Sequence, residues 1–523
     1  MARIIAFPSD LEAAPPRDNR RPFGSNVSLA HVWWTAALFA AGLAAGLMPI
    51  ESIDYWWTVK MGDWIRQHGV LPTGDPLLYT AIREPVIDGQ WLAQVLFSVA
   101  HTIDGPNVAL AARMVISIAA AALMLRMCAE EGAGVRASAA GVAIGSLLFV
   151  PGLAARPQML AVLPFLIVLR ASFRPPRTVL GLVGVALIFI FWVNVHGSFV
   201  LAYVCLSLGA FDAAWSRWHG RDLGRLKLTI RLGILLLPAA LVNPYGWRLL
   251  AYVWDVVVFN GVGSAVGVLG VEWGPPILRS TYGGAFFASV LVVIGLLGAG
   301  RKPRCREVVL MLFFGLLALQ AIRNVAWWGL IVAPYVARAI SHPSRPTLLM
   351  PGDSPGRGQE RAYGLPVGVP SLNVMCIGLL VTLLMLFLPW WREKLPLPAS
   401  RTAVLDQSTP VALGEYLAQN QPDGNLFHHT DWGAYLGWRI GPDRKIFVDD
   451  RFELHPPDVW RDYARVSGGH ASWEEVLERY GVVQVALDAG SQPGLAEAIG
   501  RTPRWDLKFQ DGDVRVYQLR AAR

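Results

Sequence analysis

Charge is scarce in this chain. Of its 523 residues 16% are charged, where a soluble domain carries about 25%. That shortage, with 54% hydrophobic residues, excludes one ordinary soluble domain and excludes a disordered chain. Cysteine is scarcer still. Cys128, Cys205, Cys305 and Cys376 are the whole set, each in or beside an apolar run. There is no CxxC and no Cys/His cluster at zinc-ligand spacing, so neither a disulfide framework nor a structural zinc is indicated.

What the chain has is apolar length. Mean hydropathy is +0.41. Its 21 tryptophans suit bilayer interfaces, where indole rings collect. A helix needs about 20 apolar residues to cross the hydrocarbon core. Eleven runs read as spans: 31–50, 108–126, 137–152, 157–172, 178–195, 198–215, 228–243, 282–300, 307–322, 325–341 and 373–391. Pro151, Arg156 and Pro157 interrupt the third and fourth. The predicted fold class is a mainly α membrane protein, a bundle of about eleven transmembrane helices followed by a C-terminal α/β domain.

The net charge of +8 invites a nucleic-acid reading, but the basic residues sit in alternate loops. They fall in the first 30 residues (Arg3, Arg17, Arg20, Arg21), in 170–177 (RASFRPPR), in 217–231, in 301–306 (RKPRCR) and in 338–361. The positive-inside rule puts these loops and the N-terminus in the cytoplasm. With eleven spans, residues 392–523 are extracytoplasmic. The lipid bilayer is therefore the expected partner, and nucleic acid is not. Residues 1–30 read as a cytoplasmic tail, 31–391 as the transmembrane domain, and the Pro/Gly-rich 343–370 as a cytoplasmic linker. The run 31–50 follows a long polar stretch, which suits an uncleaved signal anchor of an inner-membrane protein.

The other face collects polar motifs. The loop 51–90 holds Glu51, Asp54, Asp63, Asp75, Glu84 and Asp88. Trp56, Trp57, Met61, Trp64 and Ile65 recur at helical spacing, predicting an amphipathic helix over 55–67 on the membrane surface. A second amphipathic stretch, 90–104, leads into the next span. The remaining outer loops carry Arg156-Pro157-Gln158, Asn194-Val195-His196-Gly197, Asn243-Pro244-Tyr245-Gly246, Glu272-Trp273 and Arg323-Asn324. Such groups at bilayer edges are costly unless they face water, a partner or a substrate. Each has a plainer reading: Asn194 and Asn243 as helix caps, Arg156 as a snorkelling residue, His196 as a packed histidine. Their one-sidedness favours a shared outward-facing cavity.

These motifs, with Asp54-Tyr55-Trp56-Trp57, Gly74-Asp75-Pro76, Gln90-Trp91-Leu92-Ala93-Gln94 and Asp449-Asp450-Arg451, resemble a bacterial branch of the GT-C superfamily of multi-spanning glycosyltransferases. The likeness runs from about residue 45 to the end. It implies transfer of a sugar from a polyprenyl-phosphate or -pyrophosphate carrier to a glycan, lipid or protein acceptor on the outer face, in cell-envelope glycan or exopolysaccharide synthesis. It also implies a general base in the first outer loop: Asp54, with Glu51 a substitute. Desolvation by Trp56 and Trp57 predicts a raised Asp54 pKa. Arg156 and Arg323 are candidates to hold the carrier phosphate, with His196 sharing that work. Asn194, Asn243, Tyr245 and Glu272 are further candidates for substrate binding. Asp75 and Asp88 are candidates to position sugar or acceptor, or to bind a divalent cation such as Mg or Mn; the pattern does not decide whether a metal is used. The spacing Glu51-x-x-Asp54 departs from the adjacent acidic pair of several better-known members, which leaves open which acid is the base. The alternatives are an O-antigen-type ligase or polymerase, leaning on Arg and His, and a transporter or flippase of lipid-linked glycan, which predicts polar residues near mid-membrane.

Residues 392–523 have ordinary soluble composition. The pattern predicts helices 411–420, 431–440, 456–466, 472–480 and 494–500, strands 424–429, 445–449 and 482–488, and a hairpin near 505–519 turning at Asp511-Gly512. Neither a Gly-rich phosphate loop nor a Ser/His/Asp pattern is present there. Asp431, Asp449, Asp450 and Arg451 form its candidate polar cluster, near strand ends where α/β sheets bind ligands. A helix-capping Asp431 and a structural Asp–Arg pair are the plainer reading.

Overall fold

The computed structural model describes residues 27–51, 53–80, 86–220, 224–258, 271–341 and 368–520. The predicted linker 343–370 and tail 1–30 lie almost wholly outside the described residues, as do Arg83 and Glu84.

All eleven apolar runs are helical. In chain order the helices are α1 (Leu29–Leu47), α2 (Tyr55–His68), α3 (Trp91–Glu130), α4 (Val135–Phe149), α5 (Gln158–Phe173), α6 (Val179–Val195), α7 (Leu201–Trp218), α8 (Arg225–Ala239), α9 (Trp247–Val258), α10 (Thr281–Gly298), α11 (Cys305–Gln320), α12 (Val325–Ile340) and α13 (Pro370–Leu386). Among the described residues five segments are long and apolar enough to cross a membrane: Leu29–Leu47, Trp91–Glu130, Val135–Gly152, Gly197–Trp218 and Thr281–Gly298. Gln158–Phe173, Val179–Val195 and Pro370–Leu386 are shorter apolar helices. A 16-residue helix such as Gln158–Phe173 reaches only about 24 Å at about 1.5 Å per residue.

Glycines set the tightest packing. Where α4 crosses α12, a Cβ on Gly145 would stand 2.8 Å from the Gly329 carbonyl oxygen, and one on Gly329 would stand 2.8 Å from that of Gly145. Backbones approach this closely only where both side chains are absent. The predicted stretch 90–104 and the following span form one helical run, α3, broken at Asp104 and Gly105. Gly105 takes φ 54°, a conformation glycine adopts without penalty, and Pro106 restarts the helix.

The helix expected on the membrane surface is α2, and it is buried instead. Trp56, Trp57 and Met61 are each under 5% exposed. One side of α2 meets α3, where Gly62 lies against the Gln94 backbone. On another side, the Trp56 ring centroid sits 5.0 Å from that of Tyr435 and 4.5 Å from that of Trp438. Its apolar face is thus covered by protein.

After two short helical turns (Pro389–Arg392 and Ala399–Thr402) and helix α14 (Val411–Gln419), the chain builds a four-stranded sheet. The strands are β1 (Asn425–His428), β2 (Val482–Asp488), β3 (Trp505–Asp511) and β4 (Val514–Leu519), in the order β1-β2-β4-β3. β1 and β2 are parallel and the other pairings antiparallel. Helices α15 (Gly433–Ile440), α16 (Pro457–Ser467), α17 (Trp473–Arg479) and α18 (Pro493–Arg501) complete the unit. The hairpin turns after Asp511, with Gly512 at φ 57°.

One predicted strand, 445–449, does not join this sheet. Ile446 forms a parallel bridge with Leu78 of the first loop, its N–H bonding the Leu77 carbonyl at 2.8 Å. Tyr79 N–H returns to the Ile446 carbonyl at 3.1 Å. A second bridge pairs Ile50 with Leu405. The C-terminal unit is thereby stitched onto the loop that follows α1.

At the far end of the bundle the basic turns converge on three acids. Glu130 takes Arg170 at 2.6 Å, Glu131 takes Arg174 at 3.2 Å as well as Arg304 and Arg306, and Glu307 takes Arg338. Glu130, Arg170 and Arg338 lie in the last turns of α3, α5 and α12, while Arg304 and Arg306 flank the start of α11. The opposite ends of the same four helices carry the polar groups described next.

Candidate functional site at one end of the bundle

Two buried arginines fix the start of the first loop. Arg113, inside α3, donates to the Ala45 carbonyl at 3.1 Å, to Pro49 at 3.3 Å and to Met48. Arg392 donates to the carbonyl of Gly46 and, at 2.9 Å, to those of Thr402 and Ala403. They satisfy the carbonyls that the C-terminus of α1 leaves without intrahelical partners. Asp54, immediately before α2, is therefore held at a fixed place. Sequence reasoning missed both residues. For Arg113 the available signal is an arginine in the interior of the apolar run 108–126, whose other arginine, Arg126, stands at its end.

Asp54 meets Arg156. The guanidinium Nη1 lies 3.0 Å from Asp54 Oδ2 and 2.6 Å from Glu272 Oε2. The arginine side chain is 8% exposed, Asp54 22% and Glu272 40%. Glu272 sits on a short 3-10 turn, Val271–Trp273. That turn is held by the Ile322 N–H on the Gly274 carbonyl (2.8 Å) and by Arg323, stacked 4.4 Å from the Trp273 ring centroid. Burial alone would raise the Asp54 carboxyl. The charge of Arg156 and hydrogen bonds from Asp450 and Arg156 outweigh burial and hold it below the usual carboxylate range. The raised pKa expected from the flanking tryptophans is thus corrected. An open cleft with about 260 Å³ of empty space, lined by Glu51, Asp54, Tyr55 and Arg113 among others, adjoins this ion pair. Glu51 is itself exposed.

His196 joins α6 to the turn before α7. Its Nδ1 accepts from Ser198 N–H at 3.1 Å, with the Ser198 hydroxyl at 2.8 Å. An accepting Nδ1 puts the ring proton on Nε2. Burial, helped by the charges of Arg323 and Arg156, pushes its pKa down to about 3, so the ring is neutral near pH 7. Asp54, Arg156, His196 and Arg323 lie close enough for their charges to bear on one another.

The C-terminal unit supplies the other side. Arg451 pairs with Asp449 (Nε to Oδ2, 2.9 Å) and with Asp75, and its guanidinium lies 5.1 Å from the Trp57 ring centroid. Asp75 also accepts from the N–H groups of Leu77 (2.8 Å) and Leu78 (3.1 Å). Asp450 Oδ2 accepts from the Asp54 backbone N–H at 3.1 Å and from the Trp57 indole at 3.3 Å. Burial, then the neighbouring Asp54 carboxylate, pushes the Asp450 carboxyl well up.

The remaining candidates divide. Asp88 Oδ1 accepts from Gln90 N–H at 3.1 Å and Gln94 Nε2 at 2.9 Å; Oδ2 is buried and has no partner. Burial raises its pKa to about 6. Tyr245 lies beside it with a buried, unpartnered hydroxyl. Asn194 bridges three elements, accepting from Trp91 Nε1 and donating to Ile190 and Val242 carbonyls, each at 2.8 Å. Asn243 closes its own turn, taking Tyr245 N–H and giving to Ala240, both at 2.8 Å. Both amides are spent on protein groups, as the helix-end reading has it. Asp431 is exposed and lies in the turn before α15.

Among the described residues no three His, Cys, Asp or Glu side chains converge to hold a metal ion. Asp75 is committed to Arg451 and Asp54 to Arg156, so the donor set does not fit the divalent cation considered from sequence.

No protein-family model matches the chain, and no curated protein matches it in sequence. Its fold is nevertheless similar to the folds of two solved glycosyltransferases. The oligosaccharyltransferase of Archaeoglobus fulgidus superposes with a TM-score of 0.52 at 12% identity, over 89% of this chain and 71% of that one. The arabinofuranosyltransferase AftD from Mycobacteria superposes with a TM-score of 0.50 at 16% identity, over 94% of this chain. This chain spans 42% of the length of AftD.

Proposed function

We propose that this protein is an integral membrane glycosyltransferase that moves a sugar from a polyprenyl-phosphate or -pyrophosphate carrier to an acceptor hydroxyl, in cell-envelope glycan or exopolysaccharide synthesis. The observation that carries this reading is the Asp54–Arg156–Glu272 constellation, beside His196 and Arg323, on a fold similar to that of an oligosaccharyltransferase. The arginine-rich far end of the bundle faces the cytoplasm by the positive-inside rule. The site and residues 392–523 then lie outside, with the N-terminus inside.

In this mechanism Asp54 takes the proton from the acceptor hydroxyl, whose oxygen attacks the anomeric carbon. The bond from that carbon to the carrier phosphate breaks, and the phosphate leaves with the electron pair. Arg156, Arg323 and the Nε2–H of His196 meet its charge. Glu272, the more exposed partner of Arg156, is the acid the phosphate displaces. A low pKa keeps Asp54 ionised near pH 7, so its value as a base lies in orientation more than in basicity.

The test is sugar transfer in proteoliposomes supplied with lipid-linked donors. The Asp54→Asn variant should insert normally and lose about 10²–10⁴-fold in turnover, the usual worth of a general base. A correctly inserted variant with full activity sinks the assignment. Movement of intact donor across the bilayer without transfer favours the flippase reading.

A further inference from the structure

Asp450 is the group in this site whose bonding does not match an ordinary carboxylate. Its Oδ2 accepts two N–H groups, from Asp54 and Trp57. Its Oδ1 is buried and receives no donor. The Asp54 backbone N–H on that Oδ2, at 3.1 Å, sets the two acids side by side, with each carboxyl bearing on the other. Two carboxylates repel at that distance; a carboxylic acid and a carboxylate attract.

Among the described residues the surrounding charges leave no cation for Asp450. On its own segment, Arg451 is spent on Asp449 and Asp75. From the first loop, Asp54 faces it with negative charge, and Arg156 behind Asp54 is shared with Glu272. The charges that bear on Asp450 most are those of Asp54 and Asp449, both acidic.

We infer that Asp450 works as a neutral carboxylic acid, and that its proton hydrogen-bonds the Asp54 carboxylate and sets that carboxylate against Arg156. Asp450 is then a positioning residue carried by the C-terminal unit. The site is complete only when that unit is docked on the first loop, through the Leu78–Ile446 and Ile50–Leu405 bridges. Ionising Asp450 would set two negative carboxyls side by side and turn Asp54 away from Arg156. The base would then fail at alkaline pH although it is itself ionised throughout. This inference rests on the reading of Asp54 as the base, but its central claim, the proton on Asp450, can be read without turnover.

Asparagine is the isostere of the neutral acid: its carbonyl can keep both N–H bonds, and its amide can donate to Asp54. Infrared difference spectra of the purified full chain, wild type against Asp450→Asn near neutral pH, should show a protonated-carboxyl C=O band that the variant lacks. Absence of that band overturns the inference whatever the enzyme does. In transfer assays Asp450→Asn should stay within about threefold of wild type near neutral pH and lose the alkaline fall in kcat, whereas Asp450→Ala should lose tenfold or more in kcat. An Asp450→Asn variant as inactive as Asp54→Asn, or one that keeps the wild-type pH profile, also overturns it. Full activity of Asp54→Asn with the infrared band present instead refutes the function proposed above and leaves the protonation of Asp450 standing.

Discussion

Asp75 and Arg451 stand 376 positions apart and form a buried ion pair. The arginine also holds Asp449, so one guanidinium neutralises two acids that are each 5% exposed or less. The pair joins the first loop to the C-terminal unit. Sequence reasoning offered Asp75 to sugar, acceptor or a divalent cation and grouped Arg451 with a strand-end cluster, a structural Asp–Arg pair being the plainer reading; the fold bonds the two to each other.

Breaking that pair should loosen the docking. Arg451→Gln leaves Asp75 and Asp449 buried without their countercharge, a change that costs about 3–5 kcal/mol in comparable sites. The expected result is a lower melting temperature and faster proteolysis between residues 392 and 425, at equal membrane insertion. Unchanged protease resistance would show that the strand bridges suffice.

Arg156 is expected to tolerate no replacement. One guanidinium nitrogen, Nη1, serves both Asp54 and Glu272, which leaves the rest of the planar fork for the phosphate, whereas lysine offers only a point charge. Arg156→Lys should lower transfer by about 10²–10³-fold, the scale for losing a preorganised electrostatic group. The check is turnover per inserted molecule. A loss under about threefold would remove Arg156 from the phosphate-binding role.

Asp88 gives a pH-dependent signature. Its folded pKa of about 6 exceeds the ordinary value of 3.8. The folded state therefore holds this proton more tightly than the unfolded state. The associated stability is present below about pH 4 and is lost as pH rises through about 6. Asp88→Asn cannot ionise and keeps an oxygen for Gln90 and Gln94. Its melting temperature should match wild type near pH 4 and exceed it near pH 7.5, by at most about 3 kcal/mol of stability, at about 1.4 kcal/mol per pKa unit. A difference independent of pH contradicts this account.

Gly62 tests the seat of α2. A Cβ there would lie 2.0 Å from the Gln94 carbonyl oxygen and 2.7 Å from Ser98 Cβ. Backbone cannot yield as a side-chain tip can, so Gly62→Ala should cost about 1–3 kcal/mol as overpacking does. It should also reduce transfer by shifting the helix that Asp54 precedes. Thermal unfolding of the purified protein measures the first effect.

Much was legible from pattern alone. The apolar runs predict helices that the fold contains, because a backbone in apolar surroundings must satisfy its own N–H and C=O groups. In the C-terminal unit most element types follow from periodicity, and β2 spans 482–488 as predicted. The segment 445–449 fails for an instructive reason. Its run of buried residues, Ile446 to Asp449, suits a central strand, but its bridge partner is Leu78, far away in sequence. The α2 helix fails in a related way: amphipathicity records that one face is covered and does not say by what. Here the cover is α3 and α15, not lipid.

The sequence by itself determined a basic, apolar, multi-helix chain with its unusual acids, Arg and His gathered between alternate helices. Those properties follow from residue type and short-range periodicity. The tertiary structure decided which acid meets which arginine. Asp54 went to Arg156, Asp75 to Arg451, and Asp450 was left beside Asp54 with no cation of its own among the described residues. No local rule links positions 396 apart, as Asp54 and Asp450 are. Only packing sets their separation, and separation decides whether two carboxyls ionise independently or share a proton.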